Sequence, residues 1–342
     1  MKAPSFRLPA SARSLAARAY LRTLAASKRH IILGPYRSEL GFEALYWMPF
    51  LKWAMAYAGI PIERCTAISR GGMGAFYPAQ HQYDLYELRG VDAVRLENQL
   101  DAQQRGLMKQ TSVTKWDRAV CADVAKQQGI GKYFILHPSW MYWLFEDYWE
   151  ERCGLKHVAK HCDFAVPAIP ELPKGCNLPE QFIAVRFYER HTLPLNPGTV
   201  PIITAIVKQL ASKLPVVLLN QSVFADDHSD LPIAGENVYT LPAIPPAQNF
   251  ILQAAILARA QVFVGTYGGI AQWALRYRRP SLSFFTDFKG TAVAHRSLSQ
   301  HLSAAQGVPF EVMDLKAIKL WQMALPAMAE KAMSSSQAAA WR

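Results

Sequence analysis

From His30 onward, short apolar runs alternate with longer stretches in which apolar residues recur every three or four positions. The runs Ile31-Ile32-Leu33, Ala67-Ile68-Ser69 and Tyr133-Phe134-Ile135-Leu136 read as buried strands. So do Phe182-Ile183-Ala184-Val185, Val216-Val217-Leu218-Leu219, Val238-Tyr239-Thr240-Leu241, Val262-Phe263-Val264 and Ser281-Leu282-Ser283-Phe284-Phe285. Between them the spacing predicts helices over Phe42–Tyr57, kinked at Pro49, over the aromatic stretch after His137-Pro138, over Val200–Leu214 and Phe250–Ala260, and one opening at Gly268-Gly269. Strand, tight loop and helix in repetition predict an α/β protein with parallel sheets. Pro167, Pro170, Pro173 and Pro179, with Gly175, interrupt the rhythm and predict a connector. With 342 residues, more than one core usually holds, the expected organisation is an N-terminal segment 1–28, a domain 29–170 and a domain 171–342.

Composition changes this picture at the N-terminus. Residues 1–30 hold Lys2, Arg7, Arg13, Arg18, Arg22, Lys28 and Arg29 and no acid, supplying +7 of the formal +11. Arg18 and Arg22 lie one helical turn apart in an Ala- and Leu-rich stretch. The segment reads either as a helix on anionic headgroups, making peripheral contact with a membrane, or as a solvated basic tail, with an organelle transit peptide ranked third. It has no compact apolar core of a secretory signal, and no run of about 18 apolar residues occurs in the chain. No base-reading motif accompanies the charge, so nucleic acid is not an expected partner. Five scattered cysteines do not form a disulfide framework and fit a reducing cytoplasm, at the inner face of the membrane if the tail docks there.

In open parallel sheets ligands collect at the carboxyl ends of strands, so the residues there carry the candidate chemistry. The run Val262-Phe263-Val264-Gly265-Thr266-Tyr267-Gly268-Gly269 passes from strand to small residues to helix. Backbone N–H groups and a helix dipole there favour a phosphate, with Thr266 offering a hydroxyl; the plain alternative is a tight turn whose glycines serve packing. Arg186 ends an apolar strand ahead of Phe187-Tyr188-Glu189-Arg190 and could clamp a diphosphate, or pair with Glu189 or another acid. Asn220 follows a strand and precedes Asp226-Asp227-His228. In the first domain the segments are Gly34-Pro35-Tyr36-Arg37-Ser38-Glu39-Leu40-Gly41-Phe42-Glu43 and Ser69-Arg70-Gly71-Gly72.

Strand–Arg, strand–Asn with nearby Asp-Asp, and strand–Gly-Thr-Tyr-Gly-Gly–helix, in that order, resemble the donor domain of GT-B glycosyltransferases, in particular the fucosyltransferase-like and heptosyltransferase-like bacterial group, over His30 to Phe285. The resemblance implies two Rossmann-like domains facing a cleft. It implies a nucleotide-sugar donor on the second domain, a glycan or lipid-linked acceptor on the first, and a role in cell-envelope polysaccharide synthesis. Donor contacts fall on Arg186, Tyr188, Asn220, Asp227, Gly265, Thr266, Tyr267, Gly268 and Gly269. Acceptor or cleft contacts fall on Arg37, Gly41, Arg70, Gly71 and Gly72. The nucleotide-sugar is substrate, so no cofactor is implied. Asp226-Asp227 lacks the Asp-x-Asp metal spacing, so no metal is expected. An inverting transfer needs a group to take the acceptor proton. Glu39 is the first candidate, with a carboxylate at a helix N-terminus as its plain alternative, and His137 is the reserve. Glu43 reads as structural. A noncatalytic nucleotide-sugar or glycan-binding protein on the same fold is the alternative from another class.

Two clusters stand outside this scheme. Cys153, His157, His161 and Cys162 have ligand chemistry but not the paired short spacing of common zinc modules. Trp140, Tyr142, Trp143, Phe145, Tyr148 and Trp149 read as core or interdomain packing. Neither a Walker A motif nor a complete Gly-x-Gly-x-x-Gly is present, which argues against P-loop kinases and ordinary dinucleotide dehydrogenases.

Overall fold

The computed structural model describes residues 8–105, 110–220, 229–287 and 292–317. The chain divides into two compact units, Met1–Phe164 and Ala165–Arg342.

The first unit runs α1 (Ala10–Ala26), β1 (His30–Leu33), α2 (Leu40–Phe42), α3 (Met48–Ala58), β2 (Cys65–Ser69), β3 (His81–Asp84), α4 (Leu85–Arg89), α5 (Val91–Arg105), α6 (Lys115–Gln127), β4 (Tyr133–Leu136), α7 (Ser139–Trp149) and α8 (Leu155–Ala159). Its four strands are parallel in the order β3-β2-β1-β4. The order reverses between β1 and β4, which places the loops after those two strands side by side. The expected kink at Pro49 takes a definite form. Proline has no N–H to donate, and the turn just before it, Glu43–Trp47, widens into a π-helix. Phe42, Tyr46 and Phe50 from this stretch meet Tyr142, Phe145 and Trp149 of α7 in one aromatic core.

The N-terminal segment corrects both leading expectations for it. Over Ala10–Ala26 it is neither a frayed tail nor a helix with its apolar face left for lipid, because Ala17, Leu21 and Leu24 are buried in this unit. Arg13, also buried, pairs with Glu146 at 2.7 Å beneath Trp143. Tyr20 stacks on Trp140, and Ser14 bonds His161 at 2.7 Å. No described helix is long and apolar enough to cross a membrane.

The second unit runs β5 (Ile183–Arg186), α9 (Val200–Ala211), β6 (Val216–Leu218), β7 (Val238–Thr240), α10 (Asn249–Leu257), β8 (Val262–Thr266), α11 (Gly269–Arg276), β9 (Ser281–Phe285), α12 (Ala292–Gln306) and β10 (Phe310–Asp314). All six strands are parallel in the order β10-β9-β8-β5-β6-β7, the nucleotide-binding doubly wound order, with its reversal between β5 and β8. Ile203, Ile206, Val207 and Leu210 repeat at helical spacing along α9. They bury against Ile183 and Val185 of β5 and Val216 and Leu218 of β6, every second residue of each strand. The proline-rich stretch belongs to this unit from Ala165: the carbonyls of Ala165, Ala168 and Pro170 accept from Arg276, Tyr277 and Arg259. The division therefore falls six residues before the expected boundary at 170/171.

Candidate functional site

In the second unit β5 and β8 pair so that Arg186 lies opposite Gly265 at their carboxyl ends. The strands approach so closely that a Cβ on Gly265 would sit 2.1 Å from the Arg186 carbonyl oxygen, which only glycine permits. Thr266 joins the extensions of both strands: its hydroxyl accepts from the Tyr188 N–H at 3.0 Å and donates to the Tyr188 carbonyl at 3.1 Å. The residue is fully buried. This corrects the expectation that Thr266 offers a hydroxyl to a phosphate, because both roles of that hydroxyl are filled within the fold. Tyr267 is likewise turned inward, with its N–H on the Phe284 carbonyl and its ring edge-on to Phe310.

Arg186 is buried, and its partner is neither Glu189 nor solvent. Its Nε donates to Asp230 at 2.9 Å, its Nη1 reaches Gln253 at 3.3 Å, and its guanidinium lies 5.0 Å from the Tyr188 ring. Gln253 is held in turn by Asn249, one helical turn back in α10. Asp230 already offsets the charge of Arg186, so in this structure the arginine orders Tyr188 and α10. Asn220 donates to the Leu231 carbonyl at 3.2 Å, closing the loop after β6. Asp226, Asp227 and His228 lie outside the described residues.

At the start of α11, Gly268 lies against the ends of two side chains. A Cβ there would lie 2.3 Å from the Tyr188 hydroxyl and 3.0 Å from Arg190 Nη1. Arg190, which is not among the donor contacts that the resemblance implies, thus stands at the N-terminus of a helix whose first turn carries no acid. Gly269, unlike Gly265 and Gly268, keeps part of its surface accessible. A positive side chain and the positive end of a helix dipole meet at this point, and both favour an anion. The signal for Arg190 was its place four residues beyond Arg186, on an extension of β5 that the pattern of apolar residues does not mark.

In the first unit the loop after β1 keeps two backbone bonds to the neighbouring strands, from the Gly34 N–H to the Leu136 carbonyl of β4 and from the Tyr36 N–H to the Ile68 carbonyl of β2, and side chains supply further ones. Gln110 donates to the Pro35 carbonyl and accepts from the Arg37 N–H. Asn98 donates to the Arg37 carbonyl at 2.8 Å and accepts from Arg37 Nη1 at 2.9 Å. Arg37 is fully buried, with Asp101 at 2.6 Å and Asp117 at 3.3 Å. The same Asp117 closes the capping box of α6 with Thr114 and faces His137 Nε2 at 3.3 Å. Burial alone would raise its carboxyl; the hydrogen bond and charge of His137, with Arg37, outweigh that and hold it at about 2.

Three expectations are corrected here. Arg37 cannot grip an acceptor, because its guanidinium is enclosed by these carboxylates. Arg70, also buried, donates to the Arg37 and Ser38 carbonyls and so braces the same loop. His137 cannot serve as a base as it stands: its Nδ1 accepts from the Ser139 N–H at 3.1 Å, and its other nitrogen faces Asp117. Gly71 and Gly72 adopt left-handed turn conformations, with the Gly72 N–H on Asp84 at 2.7 Å. Gly41 lies within α2. Between Ile31 and Leu40, Glu39 is the one residue that keeps solvent exposure, and its side chain makes no capping bond to α2.

A feature the sequence left as structural proves unusual. Glu43, fully buried in the π-helical turn, accepts at Oε1 from Ser69 at 2.7 Å and Tyr77 at 2.5 Å, while Oε2 has no partner among the described residues. Burial raises it from its ordinary 4.5 to about 7, against the pull of Arg70 and these two hydroxyls. In the Cys153/His157/His161/Cys162 cluster, His161 bonds Ser14 and the His157 carbonyl, and His157 bonds the Leu144 carbonyl. These histidine nitrogens are committed to packing α1, α7 and α8.

The chain matches no protein-family model and no curated protein. Among solved structures it is similar to E. coli heptosyltransferase WaaC with ADP, at 12% identity over 81% of this chain and 98% of that one, with a TM-score of 0.38. It is similar to the glycosyl transferase family 9 protein of Veillonella parvula, at 10% identity over 86% and 89%, with a TM-score of 0.44. It is similar also to the iron-containing dodecameric glycosyltransferase TibC of enterotoxigenic E. coli, at 12% identity over 77% and 62%, with a TM-score of 0.43. All three are glycosyltransferases, the class that the order of motifs resembles.

Proposed function

We propose that this chain is a glycosyltransferase that binds a nucleotide-sugar at the carboxyl edge of the second unit's sheet. The observation that carries the reading is the doubly wound strand order, whose reversal between β5 and β8 gathers Tyr188, Arg190, Gly268 and the N-terminus of α11 in one place. In this reading the diphosphate meets the first turn of α11 and the Arg190 guanidinium, Arg186 and Asp230 hold Tyr188 in position, and the charge that develops on the leaving nucleotide is stabilised by these groups. The scheme calls on no metal. Glu39 takes the proton of the acceptor hydroxyl, since the reserve candidate His137 is buried in its own hydrogen bonds. The acceptor as a glycan or lipid-linked sugar of envelope polysaccharide rests on the motif resemblance; a place at the inner face of the membrane rests on the basic N-terminal segment, and the packing of α1 lends it no support.

A nucleotide-sugar or glycan-binding protein without turnover is the second reading, favoured by the enclosure of Arg37, Arg70 and His137. One experiment separates them. Thermal unfolding is followed with ADP, GDP, UDP, CMP and their sugars, and the stabilising nucleotide-sugar then enters a transfer assay. The enzyme reading and the nucleotide-sugar form of the second both expect one nucleotide family to stabilise the wild type and to fail with Arg190→Ala. The enzyme reading further expects turnover that Glu39→Gln lowers by about 10²- to 10⁴-fold with nucleotide binding unchanged. No response to any nucleotide overturns the enzyme reading and the nucleotide-sugar form of the second, and favours its glycan-binding form.

A further inference from the structure

The edge of the second sheet opposite the proposed donor site carries a cavity of about 520 Å³. One wall comes from the proline-rich stretch, through Ile169, Leu172 and Leu178. Another comes from Phe182, just ahead of β5, and the rest from Arg259 after α10 and Arg279 ahead of β9. The two arginines are unusual in their company. Arg259 donates through Nη1 to the Pro170 and Ala255 carbonyls, and Arg279 donates through Nη2 to the Ala258 carbonyl; neither has a carboxylate partner among the described residues. Arg279 Nε is buried with no hydrogen-bond partner among them. Burial pulls this guanidinium below the usual arginine range, and no acid offsets it. The one acid on the lining, Glu180, is exposed and makes no ion pair with either arginine among the described residues.

Two guanidiniums that retain unfilled donors, one of them partly desolvated, are costly beside an apolar wall unless an anion completes them. The wall itself stays partly open: Ile169 is 53% exposed. The size lies within the range of small-molecule sites. We infer that this cavity is a second binding site, which takes a small soluble amphiphile with one anionic head, carboxylate or phosphate, on a short apolar body. The head meets Arg259 and Arg279, and the body lies along Ile169, Leu172 and Leu178. Because the site lies at the amino edge of the sheet, it is independent of the donor reading above.

The test is calorimetric titration of the full chain with octyl phosphate and with octanoate, both monomeric, beside inorganic phosphate and octanol. Octyl phosphate and octanoate should saturate at one site per chain, with phosphate and octanol each at least about tenfold weaker. Arg279→Gln should weaken the amphiphiles about tenfold through the loss of a charged hydrogen-bond donor. Since Arg259 and Arg279 also fasten backbone carbonyls, Ile169→Glu provides a second variant on an exposed position. It sets a competing carboxylate beside the head site and should weaken binding as much. Absence of saturable octyl phosphate binding overturns the inference, as does unchanged affinity in both variants. Phosphate binding as tight as octyl phosphate, or retention only on phosphatidylglycerol vesicles, also overturns it.

Discussion

Replacing Glu43 by Gln should remove a pH dependence of stability that the buried carboxyl imposes. The folded chain holds this proton with a pKa of about 7, against an ordinary 4.5 once the chain unfolds. Between those values the folded state binds more protons than the unfolded one, so stability falls as pH rises. The contribution is fully present below pH 4.5, declines by up to about 1.4 kcal/mol per pH unit, and is gone above pH 7, about 3 kcal/mol in all. Complete burial leaves little solvent screening to reduce it. A single wild-type curve would hide the effect, because His161 acts in the opposite sense. Burial depresses that imidazole to about 4, so its contribution is present above 6.5 and lost on acidification. Asp84, raised by burial to about 6, adds to the Glu43 trend. The difference between variant and wild type isolates the one group. Glutamine keeps an acceptor for Ser69 and Tyr77, and its amide adds a cost that does not vary with pH. Urea unfolding from pH 4.5 to 8, followed by fluorescence of the tryptophans that lie mostly before Phe164, should show E43Q gaining about 3 kcal/mol on wild type across the range. A difference that stays flat with pH would refute the assignment of a raised pKa to Glu43.

Other outcomes follow from the same structure. Arg37→Ala leaves Asp101 and Asp117 buried without their cation and should destabilise the first unit by about 3 to 5 kcal/mol in denaturant titrations, whereas the second unit should keep its transition. Thr266→Val keeps the shape but strands the Tyr188 N–H, and should cost about 1 to 3 kcal/mol in the second unit by the same method. His161→Asn should flatten the loss of stability between pH 6.5 and 4 relative to wild type, read as the difference between paired unfolding curves.

Much of this was legible where apolar residues set the pattern. The strands at Ile31, Ile183, Val216 and Val262 are buried runs with little competing signal, that at Tyr133 is an apolar run only partly buried, and α9 repeats its isoleucines at helical spacing. The strand His81–Asp84 was not legible: it lies at a sheet edge, its residues are polar and partly exposed, and pairing with β2 alone makes it a strand. The basic N-terminal helix misled because charge is read from sequence without partners. Arg13 is positive in the list of residues and neutralised by Glu146 in the fold. The same limit governs the site. Arg37, Arg70, Arg186 and His137 stand where strand ends place them, yet their counterparts Asp101, Asp117, Asp230 and the loop carbonyls come from distant parts of the chain. Gly265 and Gly268 lie in close contact with Arg186, Tyr188 and Arg190, the packing role that the sequence offered as the plain alternative to ligand contact. Spacing along the chain cannot show that contact.

The central claim, a nucleotide-sugar held where β5 and β8 end, is tested most directly by photo-crosslinking. An azido analogue of the nucleotide that stabilises the full chain is irradiated with it, and the adduct is mapped by peptide mass spectrometry. Labelling within residues 186–190 or 265–272, competed by the unmodified nucleotide-sugar, is the predicted result. Adducts confined to Met1–Phe164, or labelling that the nucleotide-sugar does not displace, would contradict the account.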